Sequence, residues 1–290
     1  MNLRSVFQFC GLALVSAAAA HGQIAATLQL AKTQYVAGEA VMATVTVTNH
    51  AGQDLTFRAN DRQPWLDFVI KNNGGEPAIP SGHATFGSVV VPVGQSMSRQ
   101  VNLSTLFNLA EMGSFSVYGV VRNPNDPTEE TSTNRLLFNV TNGRPYWTQK
   151  VGVKGDSTKT REFRVLNYSG DQKTELYVQV LDGRTGTAIN TFSLGAALMF
   201  QKPQITVDRN QVLHVFFLAS PTMWMHATVD TNGKLLDRSL HLRPATGDPT
   251  LMTQQDGSVT IENSIPYDPQ LEAEARAKIH KISDRPAIQH

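Results

Sequence analysis

The chain has 290 residues, 41% of them hydrophobic, with 25 basic and 24 acidic side chains. That is an ordinary globular composition, and 21 Gly with 14 Pro is too few for a collagen-like or low-complexity chain. The near-zero charge balance excludes the basic footprint that nucleic-acid binding needs.

Residues 1–23 read as an export signal: Arg4 supplies the positive end, Val6 to Ala20 is mostly apolar, and small residues precede a polar start. The apolar run is too short for a membrane span, because at about 1.5 Å per residue it falls short of a hydrocarbon core about 30 Å thick. Cys10 lies inside this segment, so the exported chain contains no cysteine. Disulfides, thiol catalysis and cysteine metal sites drop out, and burial alone must hold the fold. The expected location is periplasmic or secreted, with no integral membrane segment after cleavage.

Residues 24–141 are short β-forming runs separated by turn residues. Val41, Ala43, Val45 and Val47 alternate with Met42, Thr44, Thr46 and Thr48, a strand with one buried face that ends at Asn49. The same period-2 pattern recurs at Leu66, Phe68 and Ile70, at Phe115, Val117 and Val121, and at Leu136, Phe138 and Val140. About seven such strands predict an antiparallel β-sandwich. Tyr35-Val-Ala-Gly38-Glu39 leading into the strand that ends at Asn49, then Asp67 to Ile70, Gly94 and Gly113-Ser-Phe115-Ser-Val117, is similar to the immunoglobulin-like domains of the intracellular proteinase inhibitor family. The set also resembles macroglobulin-like modules of secreted bacterial proteins. The resemblance implies an Ig-like sandwich and, for the inhibitor family, a protease partner engaged by a protruding loop. Asn123 to Asn134 is the one long loop that could serve, and its Pro, Asp and Thr content equally suits a mobile hairpin.

Residues 146–267 follow a turn-rich boundary, and a repeat appears there with a spacing of 48 residues. Tyr177 answers Met225, Leu181 answers Val229, Asp182 answers Asp230, Phe192 answers Leu240, and Asp208 answers Asp256. Strand, Asp-led turn and strand in succession give the texture of β-propeller blades. The segment holds about two and a half blades, while a closed ring requires roughly four or more. Either another chain completes the arc, making an oligomer, or the strands stack as an open sheet or sandwich, which leaves fewer exposed edges. Residues 268–290 predict a short C-terminal helix: Asp268 caps it, Pro269 starts it, and Leu271, Ala275, Ile279 and Ile282 share a face suited to packing on the β-body.

The chemistry-bearing residues are sparse. The eight histidines form no His-Glu-x-x-His motif, no Gly-x-Ser-x-Gly or phosphate-binding glycine loop occurs, and no metal or cofactor is expected. His214, His226 and His241, with Asp208 or Asp230, are the set from which a hydrolase site could be assembled. The aspartates have another cause, since the repeated turns themselves require them. Aromatic side chains remain. Trp147 and Trp224 read either as core residues or as platforms for a sugar or protein partner, and with Tyr146 and His226 they form the candidate ligand set. The expectation is a non-catalytic binding or scaffold protein engaging a polysaccharide or protein at the cell surface, with a secreted hydrolase or a protease inhibitor as alternatives. An enzyme should gather the histidines with a carboxylate in one concave pocket; a scaffold should bury or disperse them.

Overall fold

In the computed structural model the structure describes residues 23–58, 63–126, 128–170 and 173–282. The expected export signal thus lies outside the described residues apart from Gln23. The fold is all-β apart from one terminal helix.

The first sandwich opens with β1 (Ile24–Leu30), β2 (Gln34–Val36), β3 (Met42–Asn49), β4 (Leu55–Phe57) and β5 (Leu66–Asn72). It closes with β6 (Val89–Val91), β7 (Ser96–Asn102), β8 (Gly113–Arg122), β9 (Glu130–Ser132) and β10 (Leu136–Thr141). One sheet runs β1-β3-β7, the other β2-β10-β8-β5 with β9 on β8, and β4-β6 form a small ribbon. The alternation in β3 does what its spacing dictates: Ala43, Val45 and Val47 are buried, and the intervening threonines face out. They meet Leu28, Phe57, Phe68, Val117 and Phe138 in one core shared by both sheets. Asn49 is buried where the strand ends. Its Nδ2 donates to the carbonyls of Val91 at 2.8 Å and Gln53 at 2.9 Å, and its Oδ1 accepts from the Ala51 N–H at 2.8 Å, so the amide replaces the lost ladder.

The second half contains two consecutive antiparallel meanders. The first is β11 (Arg144–Val153), β12 (Asp156–Ser169), β13 (Thr174–Asp182) and β14 (Ala188–Ala196). The second is β15 (Gln204–Val207), β16 (Leu213–Ser220), β17 (Met223–Val229) and β18 (Leu235–Leu242). A hairpin, β19 (Thr250–Thr253) and β20 (Val259–Glu262), follows, and β21 (Ile265–Tyr267) adds to the edge of β18. The 48-residue repeat maps β13 onto β17, β14 onto β18, and the β15–β16 turn onto the β19–β20 turn. The third copy stops after two strands.

The repeated aspartates are turn residues. Asp182 Oδ1 accepts from the N–H groups of Arg184 and Thr185, Asp208 Oδ1 from Asn210 and Val212, Asp230 Oδ1 from Asn232 and Lys234, and Asp256 Oδ1 from Ser258. No ring closes among the described residues. Phe163, Val165, Leu176, Val178 and Val180 of the first meander instead share a core with Leu213, Val215, Phe217, Ala227 and Val229 of the second. The two sheets therefore bury their inner faces within one chain, as the stacked alternative expects.

The C-terminal helix α1 (Pro269–Ile282) starts where expected, with Asp268 Oδ1 accepting from the Gln270 N–H at 2.8 Å. The expected packing of its apolar face on the β-body is corrected at Leu271, which is 64% exposed.

Only Asn142 and Gly143 separate β10 from β11, and the halves are knit together besides. The turn after β2 carries Gly38 at φ +85°, which lays Glu39 beside Thr191 in a parallel bridge, while Gln179 Nε2 donates to the Ala37 carbonyl at 3.2 Å. A Cβ on Gly38 would lie 2.9 Å from Thr191 Oγ1 and 3.3 Å from Ala188 Cβ. Gly38→Ala is expected to cost about 2 kcal/mol in urea unfolding, from the left-handed backbone and the clash together. Gly186→Ala, at φ +72° with open space around it, should show the backbone part alone and lose less.

Candidate functional site

At the junction of the two halves, sequence-distant polar residues converge. Lys32, in the β1–β2 loop, places Nζ 2.6 Å from Glu39 Oε1 and 2.8 Å from the Tyr177 hydroxyl oxygen on β13. Tyr177 donates in turn to Glu175 Oε2 at 3.2 Å, and Glu175 also accepts from Ser193 Oγ at 2.9 Å and pairs with Lys173 at 2.7 Å. Glu39 Oε2 accepts from the Val36 N–H at 3.0 Å. Lys32 Nζ stands 5.1 Å from the Tyr35 ring centre and 5.2 Å from that of Tyr177, within cation–π range of both.

Each ionic group thus has an opposite partner: Lys32 with Glu39, Lys173 with Glu175. Burial pushes the Glu175 carboxyl up, but hydrogen bonds from Lys173 and Ser193 outweigh it and hold the group below the usual carboxylate range. Burial and the neighbouring Glu39 and Glu175 push the Tyr177 phenol well up, so it stays a neutral donor. The half-buried Tyr168 ring meets Tyr177 edge-on, centroids 6.3 Å apart at 90°. Lys32, Tyr168, Lys173, Glu175 and Tyr177 line a hollow of about 430 Å³ with Thr33, Gln34 and Gly170. It offers two aromatic rings, a neutral phenol and paired charges, and it places no activated nucleophile beside a general base.

The histidine set is gathered on the opposite side of the second meander. His214, Phe216 and Leu218 on β16, Trp224, His226 and Thr228 on β17, and Ser239 and His241 on β18 all face outward from the shared core, because strand side chains alternate and paired residues share a face. His214 Nδ1 lies 3.1 Å from His226 Nε2, the rings nearly parallel with centroids 5.2 Å apart. His241 stands 6.4 Å from His226 and reaches Ser239 and Ser264 hydroxyls, each at 3.2 Å. His214 Nε2 is 3.6 Å from Asp208 Oδ2, beyond hydrogen-bond reach.

Burial lowers all three imidazoles below their usual range, with His226, flanked by the other two, lowered to about 4. The cluster is gathered and mostly covered: His214 and His241 are each 8% exposed, His226 is half-buried, and the β19–β20 hairpin covers the adjoining Phe216, Leu218 and Trp224. Asp230, the other carboxylate of the hydrolase expectation, is occupied by its turn. Among the described residues no group of three or more His, Cys, Asp or Glu side chains is placed to hold a metal ion.

The expected ligand set is not brought together. Tyr146 sits half-buried at a bulge of β11, and Trp147 packs against the core between the meanders. Trp224 lies on the other face of the second meander, is 0% exposed and stacks on Phe216 at 5.1 Å. As an open platform Trp224 is corrected, because the half-written third repeat folds over it. His226 belongs to the histidine stripe and is half-buried.

In the segment of the inhibitor expectation, Asn123 to Asn134, residues 130–132 pair as β9 on β8, Asn123 is buried and donates from Nδ2 to Glu129 Oε2 at 2.7 Å, and Thr133 Oγ1 accepts from the Gly119 N–H. Pro127 lies outside the described residues.

None of Lys32, Glu39, Tyr168, Glu175 and Tyr177 belongs to the ligand set expected from the sequence, in which Glu39 and Tyr177 enter only as a turn residue and a repeat position. The only local signal was Gly38 in the Tyr35 to Glu39 turn, since a left-handed turn glycine marks a close approach.

No protein-family model matches the chain, and no curated protein matches it. Among solved structures, similarity is found to the sporulation control protein Spo0M from Bacillus subtilis, at 11% identity over 90% of this chain and 98% of that one, with a TM-score of 0.28. The YadV chaperone is similar at 8% identity over 74% of this chain and 98% of that one, with a TM-score of 0.22. Likenesses at these scores carry no weight for fold or function.

Proposed function

We propose that this chain is an exported, non-catalytic binding or scaffold protein of the cell envelope or extracellular space, and that it holds a polysaccharide in the hollow between its halves. The observation that carries this reading is the pairing of Tyr168 and Tyr177 with a rim of Lys32, Lys173 and Glu175 around about 430 Å³, Lys32 being compensated by Glu39 behind it. A sugar ring offers an apolar face to stack on an aromatic ring and hydroxyls that both donate and accept. The hollow supplies the complementary groups, and its paired charges favour an uncharged polar ligand over an ion. Short, mutually bonded connections between the halves keep the walls in register, so little ordering cost falls on binding.

The test is a glycan array probed with the chain lacking residues 1–23, followed by titration of the strongest hit. Tyr168→Ala is expected to weaken that hit by about 2 kcal/mol, roughly 30-fold, while the urea midpoint stays within error. Binding unchanged by this substitution would refute the hollow as the site. The hydrolase reading has one observation in its favour, the convergence of His214, His226 and His241 beside Asp208. Turnover of an array hit that is lost in His226→Gln would replace the binding reading with it.

A further inference from the structure

The histidine stripe plays no part in the proposed ligand hollow, yet it brings three imidazoles together on one face of the second meander. His214 Nδ1 and His226 Nε2 are 3.1 Å apart. Two imidazole nitrogens at that distance form a hydrogen bond only when one of them is an unprotonated acceptor. A second proton turns the contact into two donors facing each other on two cations within a buried site, which is repulsive and poorly solvated.

The stripe is tied to a particular element. His241, the third ring, contacts Ser264 in the connection between β20 and β21. Phe216, in edge contact with both His226 and His241, forms with Leu218 and Trp224 the surface on which Leu251 of β19 and Ile261 of β20 rest. That hairpin is a two-stranded sheet of its own. It is held by these two side chains, by the Leu251 N–H donating to Gln204 Oε1 at 2.8 Å, and by the turn contacts of Arg209 with Gly257 and Asp256. A two-stranded hairpin is marginal by itself, so it is the element that yields first when its support is charged.

From these contacts we infer that the His214–His226 pair is a proton-operated latch: with one shared proton it seats the β19–β21 segment, and with two it releases that segment and uncovers Phe216, Leu218 and Trp224. The charged groups facing the rings are few. Asp208, from the β15–β16 turn, faces His214, and Asp237, on β18, acts on His226 and His241. From the hairpin side the nearest ion pair is Arg209 with Asp256 at the turn tips, each more than half exposed. Two carboxylates stand against three imidazoles, and burial outweighs them, which keeps the rings neutral at neutral pH.

The test is hydrogen–deuterium exchange on the full mature chain from pH 7 down to about pH 4, corrected for the intrinsic pH dependence of exchange. Peptides covering residues 250–267 should lose protection on the order of 100-fold in the acid range, the span between an ordinary histidine and one lowered to about 4. Peptides of β12 and β13 should stay better protected than these at every pH, falling only as far as global stability falls. His226→Gln, which keeps a hydrogen-bonding side chain but cannot titrate there, should abolish the pH dependence of residues 250–267, and His214→Gln serves if the first variant does not fold. Opening of both sheets to the same level of protection at the same pH, or the same acid opening in a folded glutamine variant, overturns the latch. Stoichiometric protection of the segment by added zinc at neutral pH also overturns it, since the pair would then be holding a metal.

Discussion

Replacing Phe217 by alanine is expected to cost about 3–5 kcal/mol and to unfold both meanders of the second half together. Phe217 is fully buried on β16, and its cluster joins Val215, Ala227 and Val229 to Phe163, Val165, Leu176 and Val178 across the space between the sheets. The lost aromatic ring removes transfer energy and leaves a void that neighbours on two separate sheets can fill only by moving both. With no cysteine after Cys10, nothing covalent holds the second half when that core fails. Chemical denaturation followed by the fluorescence of Trp147 and Trp224, one from each meander, checks the prediction: the two should share one midpoint, shifted together. A variant whose first meander survives the loss of the second would show that the sheets do not depend on a common core.

Acid is expected to destabilise the protein by about 3 kcal/mol between pH 7 and about pH 4 through His226 alone, with His214 and His241 adding in the same direction. Burial comes first among the causes, and the neighbouring imidazoles deepen the effect on His226. The folded pKa lies below the unfolded one, so at neutral pH both states are uncharged there and the group contributes its full share of stability. As pH falls through the ordinary histidine range the unfolded chain takes up the proton first, and stability declines until the folded-state value near 4 is reached. Urea unfolding across that range measures the effect. A His226→Gln variant should lose most of the slope even if it is less stable at pH 7, and a wild-type slope near zero would mean that the ring is solvated.

The parts of this molecule that were legible in its sequence are those fixed by neighbours in the chain. The Val41 to Val47 alternation, the asparagine that closes β3, and the turn aspartates at 182, 208, 230 and 256 each act over a few residues, and each sits as its spacing implies. The three-residue strands β2, β4, β6, β9 and β21 were not legible, because a period of two cannot be read over so short a run. Trp224 misled for a different reason. Its local surroundings look like an exposed hairpin turn, and only the later hairpin at 250–262 turns its face into an interior.

The junction hollow is the extreme case. Lys32 and Tyr177 are 145 positions apart, and nothing near either one marks the other. The histidines were intermediate: His214 and His226 flank one β-turn at 12 residues' separation, so their meeting was readable once β16 and β17 were paired, while their burial was not.

The sharpest test of the binding reading is an amide chemical-shift map of the isotope-labelled chain lacking residues 1–23, titrated with the strongest array hit. Saturable shifts concentrated at residues 32–39, 168–170 and 173–177 are the expected result, with those of β16 to β18 unmoved. Shifts centred on His214, His226 and His241, or new signals from cleaved sugar, would contradict it.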